Sequence, residues 1–160
     1  MSYNPQPLDI EFLKEAIALS RQFTPENGCG PFGCVIVKEG QVIGKGRNTV
    51  LHDQNPTAHA EINAIADACK ALNDYQLHNC VAYCSAEPCP MCLGALYWAR
   101  VKAVYFANTR KDTAGAGFDD AFIYEELNVQ NEIRRIPFYH IALDEAKTSF
   151  EKWRMQGTRY

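Results

Sequence analysis

Two short segments of this chain carry an imidazole, two thiols and a carboxylate. They read His59-Ala60-Glu61 and Pro88-Cys89-Pro90-Met91-Cys92. A catalytic zinc needs three protein ligands and one position left open for water, and the histidine and the two cysteines supply three suitable ligands. Glu61 follows the histidine by two residues, so it can reach a metal-activated water without itself being a ligand. The residue types and their spacing therefore predict a catalytic zinc with Glu61 as its proton shuttle.

The Cys89-x-x-Cys92 pair has other interpretations when it is considered alone. In a reduced protein it is also typical of a thioredoxin-like redox pair or of half a structural zinc site. A structural zinc needs a fourth protein ligand, and Cys80 and Cys84 are not spaced as a second C-x-x-C. A redox module would need neither the histidine nor the glutamate. A non-catalytic zinc or redox module is therefore the alternative from another class, and the metal content would distinguish the two.

Each half of the motif is expected at the start of a helix. Asn55 and Pro56 are typical of a helix N-terminus, which predicts a helix over 58–72, and Pro88 and Pro90 precede a helix over 91–100. A helix N-terminus carries partial positive charge, which lowers the pKa of a nearby thiol and favours the thiolate that binds metal. The segment of 26 residues between Glu61 and Pro88 is long enough for a helix, a turn and a strand. Both helix starts can then converge on one ion.

The remaining elements predict an α/β protein. Residues 32–37 and 41–47 form a hairpin around Glu39-Gly40, and further strands are expected at 81–84, 101–107 and 136–143. A first helix follows Asp9, and later helices are expected at 120–127 and 144–155, whereas 52–57 and 108–117 are expected to be loops. Strands that alternate with helices favour parallel pairing with helices on both faces. We expect a three-layer α/β/α sandwich with a mixed five-stranded sheet.

Composition is ordinary for a globular protein. At 160 residues, 47% hydrophobic and 22% charged, the chain is expected to form a single domain over 1–160. The net charge of −3 and the sequence pI of about 5.8 argue against a large nucleic-acid footprint, which usually needs a basic patch. Basic residues near the C-terminus are interleaved with acidic ones and predict a solvated face.

Cysteine use and the absence of long apolar runs predict a cytoplasmic protein. Seven cysteines, an odd number, occur with no secretory leader in the sequence, because the first ten residues have no Lys or Arg and no apolar run. Free thiols in a reducing compartment fit this pattern. No apolar run approaches the length that crosses a membrane, so no membrane partner is expected.

The chain resembles the cytidine deaminase superfamily, and within it the small bacterial-type guanine deaminases. The signature H-x-E followed by P-C-x-x-C is that of zinc-dependent nucleobase deaminases. The similarity extends over nearly the whole chain and includes the segments 30–33 (Gly-Pro-Phe-Gly), 55–61, 87–100 and 116–120. Cytosine deaminases and tRNA adenosine deaminases share the signature. The adenosine deaminases usually carry a Gly-Ala-Gly-Ser-like loop, from which Gly117-Phe118-Asp119-Asp120 departs.

The resemblance implies hydrolytic deamination of guanine to xanthine and ammonia by a metal-activated hydroxide. It implies Zn²⁺ held by His59, Cys89 and Cys92, with Glu61 carrying protons from the water to the ring nitrogen and the leaving amine. Deamination of cytosine, of another purine or triazine, or of a tRNA adenosine is the alternative within the same chemistry.

The resemblance also implies a base pocket and a homodimer. Asn48, Phe32 and Asp120 would line the pocket, although they could equally be a turn residue, a core residue and a helix cap. A C-terminal tail, about 152–160, would swap to the partner subunit and place Tyr160 over the partner's pocket. Glu87 has two open interpretations: it hydrogen-bonds around the site, or it caps the turn before Pro88.

Overall fold

A computed structural model describes residues 5–24 and 26–157. The chain divides into two compact units, Met1–Ile123 and Tyr124–Tyr160. The first unit contains α1 (Pro7–Ser20), β1 (Gly30–Lys38), β2 (Gln41–Asn48), α2 (Val50–Asp53), α3 (Ala60–Leu72), β3 (Cys80–Ala86), α4 (Pro90–Ala99), β4 (Ala103–Asn108) and α5 (Arg110–Gly115). Helix α6 (Ala121–Glu126) crosses the boundary between the units, and a 3-10 turn (Asn131–Ile133) and α7 (Glu145–Gln156) follow in the second.

The sheet of the first unit is mixed, with strand order β2-β1-β3-β4. β1 pairs antiparallel with both β2 and β3, whereas β3 and β4 are parallel. The central strand β1 alternates its side chains between two cores. Cys34 and Ile36 pack with residues of α3 and α4, while Val35 and Val37 pack with residues of α1. Helices therefore cover both faces of this sheet, and the predicted α/β class is confirmed.

Two glycines of β2 explain how closely α3 approaches the sheet. A Cβ at Gly44 would lie 2.5 Å from the Ala64 carbonyl oxygen, and one at Gly46 would overlap the Ala60 carbonyl oxygen. From the sequence these glycines only weaken a strand. In the structure they let the backbone of α3 pack directly against the backbone of β2. This close packing fixes the distance between Glu61 and the sheet.

The prediction of a fifth strand is wrong for the described residues, which form a four-stranded sheet. The segment 136–143 has no regular secondary structure. Pro137 has no amide hydrogen to donate, and Ile136 and Ile141 are about three-quarters exposed. A strand needs a pairing edge as well as an apolar pattern, and within the described residues no strand pairs with this segment.

Three local boundaries also differ from expectation. Residues 50–53 and 110–115, within or beside predicted loops, are short helices. The second begins with a capping box in which Thr109 and Asp112 satisfy each other's backbone amides, a local signal that the sequence contains. Asn55 does not cap α3: its side chain accepts the Thr57 amide in a turn, and His59 is the residue that immediately precedes the helix.

Candidate metal centre and adjoining cleft

The two halves of the sequence motif meet at two helix N-termini. His59 occupies the N-cap position of α3, and Cys89 occupies that of α4. The His59 Nδ1 atom lies 3.6 Å from Cys89 Sγ and 3.5 Å from Cys92 Sγ. The three potential ligand atoms all lie within 4.8 Å of one another, close enough to hold one metal ion. The tertiary structure thus brings together the three residues that the sequence nominated.

The protonation of this cluster fits a metal that binds thiolate. A hydrogen bond with Cys92 and a second with His59 lower the pKa of Cys89 to about 4, against the opposing effect of burial. The same contact with Cys89, together with burial, raises the pKa of Cys92. The pKa of His59 is raised, chiefly by its contact with Cys89. A metal ion binds the thiolate form of cysteine and the neutral form of histidine, so binding here would release the protons that these three residues hold.

Sulfur and imidazole donors are the ligands that zinc prefers in proteins. Three such donors lie at two helix starts. Among the residues that the structure describes, no fourth Cys, His or carboxylate joins the cluster, which leaves a position for water or substrate. The donor set of the described residues therefore fits a catalytic zinc better than a closed structural site.

Glu61 lies beside the cluster but is not one of its potential ligands. Its side chain lies in the first turn of α3 and is only 8% exposed. The Cys92 thiol donates to Glu61 Oε2 at 3.4 Å. Burial is the main cause of the raised pKa of Glu61. A buried carboxyl that holds a proton more readily than usual, next to a metal site, is suited to proton transfer.

A cleft of about 800 Å³ opens from this cluster. Its lining contains three of the pocket residues that the resemblance implied, together with several that it did not: Phe32, Asn48 and Asp120, and also Cys29, Leu51, Glu87, Arg110, Phe118 and Asp119. The volume falls in the range of small-molecule sites. Tyr160, the fourth implied pocket residue, lies outside the described residues.

The side chain of Asn48 is held in one orientation. Its Oδ1 atom accepts the backbone amides of Gly30 and Val50, each at 3.2 Å, and the residue is only 8% exposed. Because two N–H donors converge on the oxygen, the amide flip is determined and Nδ2 is the atom that can donate to a ligand. The structure therefore places a fixed and nearly buried amide in the lining of the cleft.

Two aromatic rings form one wall of the cleft. Phe32 and Phe118 pack edge to face, with centroids 5.0 Å apart and an interplanar angle of 85°, the arrangement that ring quadrupoles favour. Phe118 is 46% exposed, so its ring faces the open cleft as well as Phe32. Phe118 was not selected from the sequence, although the Gly117-Phe118-Asp119-Asp120 segment was.

Carboxylates dominate the charge of the cleft. Glu61, Glu87, Asp119 and Asp120 line it, and Arg110 is the guanidinium among the lining residues. Partial burial is the main cause of the raised pKa of Asp120, and Arg110 opposes it. Such a lining offers many hydrogen-bond acceptors and suits a ligand that carries N–H donors.

Comparison with known proteins agrees with this site. Residues 7–108 match the family model of the cytidine and deoxycytidylate deaminase zinc-binding region. A guanine deaminase of Bacillus subtilis (strain 168) is 52% identical over 89% of this chain and 92% of its own length. A tRNA-specific adenosine deaminase of Aquifex aeolicus is 36% identical over 84% of this chain and 86% of its own length. The chain therefore belongs to the family of zinc-binding cytidine and deoxycytidylate deaminases.

Solved structures agree with the same assignment. A crystal structure of guanine deaminase from Bacillus subtilis superposes with a TM-score of 0.90 at 50% identity, covering 94% of this chain and 96% of that one. A guanine deaminase from Nitrosomonas europaea gives a TM-score of 0.66 at 29% identity, over 75% and 68% of the two chains. Among the described residues, no helix has the length and apolar character needed to span a bilayer.

Proposed function

We propose that this protein is a zinc-dependent guanine deaminase that hydrolyses guanine to xanthine and ammonia. The observation that carries the proposal is the buried carboxyl of Glu61, 3.4 Å from Cys92 at the edge of the His59–Cys89–Cys92 cluster. The extent of the similarity to the Bacillus guanine deaminase supports the choice of substrate.

His59, Cys89 and Cys92 would hold the zinc. When bound, zinc supplies Lewis-acid activation of a water molecule. Glu61 takes one proton from the attacking water and gives it to the ring nitrogen next to the reacting carbon. It then takes the second proton from the hydroxyl group that the attack leaves on that carbon and gives it to the departing amine, which leaves as ammonia. One residue can serve both steps because each transfer returns Glu61 to the ionised form in which it can accept the next proton. Burial supports this role because it raises the pKa of the Glu61 carboxyl. A pKa closer to the working pH lets one group both accept and donate a proton.

Substrate selection follows from the polarity of the cleft. The fixed Nδ2 group of Asn48 offers donors, which suit a ring oxo group, and the carboxylate of Asp120 offers acceptors, which suit ring N–H groups. The face of Phe32 can stack on a purine. Guanine presents an oxo acceptor together with N–H donors. Adenine lacks the oxo group and carries its amine at another carbon.

A deaminase of tRNA adenosine is the second candidate, because the Aquifex relative with that name covers most of the chain. Two features favour the free base instead. The cleft lining carries four carboxylates, which disfavours phosphate, and the net charge of the chain is −3. The expected partner is therefore a small purine base, with neither nucleic acid nor membrane involved.

The deciding experiment measures ammonia release from guanine, guanosine, adenine, cytosine and an anticodon stem-loop RNA. Guanine should give the highest kcat/KM, and adenine should be poor because a site that pairs an oxo group rejects an analogue without it. Preference for cytosine or for the RNA would reject guanine as the substrate while keeping the deaminase chemistry.

We also propose that the working protein is a cytoplasmic homodimer. The single deaminase domain over 1–160 would exchange its tail, about 152–160, so that Tyr160 covers the partner's pocket. The second unit supports a partner, since its large apolar side chains Ile136, Tyr139, Ile141 and Met155 are each at least three-quarters exposed. All seven cysteines are free, which supports a reducing compartment.

A further inference from the structure

Glu87 connects the loop of Cys89 to the segment that forms the far wall of the cleft. It follows the end of β3 and precedes Cys89 by two residues. Its backbone amide donates to the Asn108 carbonyl at 2.9 Å, at the end of β4. Its Oε2 atom accepts the backbone amide of Arg110 at 3.1 Å. The glutamate therefore contacts both sides of the junction between β4 and α5.

Helix α5 is attached to the rest of the first unit mainly by partly covered side chains. None of its residues is fully buried, and Arg110, Thr113 and Ala114 are half-buried, so a hydrogen bond at its start contributes to where it lies. Internally it is well ordered: Thr109 and Asp112 cap its start, and the Phe118 amide donates back to the Thr113 carbonyl at 3.1 Å. Gly117, at φ +93°, makes the turn between them. Residues 110–118 thus form one hydrogen-bonded segment. Glu87 contacts its first residue, and Phe32 contacts its last.

The far end of this segment carries the cleft wall. Phe118 packs against Phe32, and Asp119 and Asp120 follow directly. A shift of the α5 start would move Phe118 away from Phe32 and carry both carboxylates with it. Small displacements of substrate-positioning groups have large catalytic consequences.

We propose that Glu87 is a positioning residue, whose carboxylate anchors the first residue of α5 and thereby sets Phe118 and Asp120 relative to the Cys89 loop. The consequence for turnover rests on the proposed guanine deaminase function, whereas the anchoring does not. Glu87 acts as a hydrogen-bond acceptor, so its charge is not required. This distinguishes it from Glu61, which must gain and lose a proton.

The test compares Glu87→Ala with Glu87→Gln, since Gln retains an acceptor oxygen. In Glu87→Ala, hydrogen–deuterium exchange of peptides covering 108–118 should rise, and kcat/KM for guanine should fall by about 3- to 10-fold, the loss expected from removing one hydrogen bond of the strength that a neutral acceptor such as Gln also provides. Zinc content should stay at the level of the unmodified protein. Glu87→Gln should restore both readouts. Glu11→Ala, an exposed change on α1, is the matched control.

A double-mutant cycle with Phe118→Ala tests whether the two residues act through the same segment. If they do, the combined loss is smaller than the sum of the separate losses in free energy. If Glu87→Ala does not fold, Glu87→Met provides the same comparison, because it keeps the side-chain length without an oxygen acceptor.

Several outcomes would overturn the proposal: unchanged exchange in 108–118, raised exchange with normal turnover, loss of zinc in Glu87→Ala, additive losses in the cycle, or no rescue by Gln. Failure of the proposed function has a different signature. The unmodified protein would then not deaminate guanine, while the exchange comparison would still report whether Glu87 anchors α5.

Discussion

The Cys92 thiol and the Glu61 carboxylate are in direct contact, with 3.4 Å between Cys92 Sγ and Glu61 Oε2. One belongs to the metal cluster and the other does not. Their contact places a buried carboxyl at the edge of the candidate metal site, where we propose that it transfers protons. The separation of these two roles leads to the first two predictions.

Glu61→Ala should retain zinc and fold normally but lose about 10²- to 10⁴-fold of its turnover, the usual contribution of a general acid–base group. Asp67→Asn is the matched control, since Asp67 lies on the exposed side of the same helix and Asn keeps the acceptor for the Lys45 amide. Metal analysis and ammonia release on both variants decide the matter. A Glu61→Ala enzyme with more than about a tenth of normal activity would contradict the shuttle role.

The purified protein should contain about one zinc per chain, because the cluster provides one three-ligand set. A chelator should remove it together with the activity. In the chelated protein, Cys89 should be the cysteine alkylated fastest at neutral pH, because its pKa of about 4 makes it a thiolate there. Restoring zinc should protect it.

Peptide mapping after iodoacetamide treatment measures this protection. Buried Cys34 and Cys84 provide the internal reference, because the pKa of each thiol is raised. Their mutual contact lowers the pKa of Cys34 and raises that of Cys84, and burial raises both. Active protein without zinc, or Cys89 alkylation that zinc does not slow, would argue against the proposed ligand set.

Gly30→Ala should disturb substrate recognition through Asn48. A Cβ at residue 30 would lie 3.0 Å from both Cγ and Oδ1 of Asn48, too close for the amide to stay where two backbone donors hold it. We expect guanine kcat/KM to fall by roughly tenfold, mainly through KM, since sub-ångström misplacement of a positioning group is costly.

Gly115→Ala is the control for this change, because a Cβ there would meet nothing within 4 Å. Steady-state kinetics on guanine with both variants measures the difference. Equal kinetics in the two would show that the Asn48 amide tolerates the shift.

Deleting the last few residues through Tyr160 should leave zinc and fold intact but lower kcat/KM sharply, because the pocket would lose an aromatic lid that excludes water. Mixing the truncated chain with Glu61→Ala should restore part of the activity if subunits exchange. In the mixed dimer the site with an intact Glu61 receives the other chain's tail. Normal guanine deamination by the truncated chain would remove the lid from the proposal.

The sequence by itself predicted which residues come together in the candidate metal centre. Ligand atoms belong to residue types, and local signals mark the approximate starts of the helices that present His59 and Cys89, although Asn55 does not cap α3. The α/β class followed for the same reason, because the alternation of helices and strands is written in short-range patterns. The capping box at Thr109 is an equally local signal. It marks the start of a helix within the segment 108–117, which was expected to be a loop.

Only the tertiary structure decided what surrounds the metal centre. The orientation of the Asn48 amide depends on Gly30, 18 positions away in the sequence, and the anchoring of Arg110 depends on Glu87, 23 positions away. The number of strands likewise depends on which segments pair with the edges of the sheet. The apolar pattern at 136–143 is local and contains no information about such pairing. These features arise from contacts between distant segments, and such contacts are fixed by the packing of the whole fold rather than by any local run of residues.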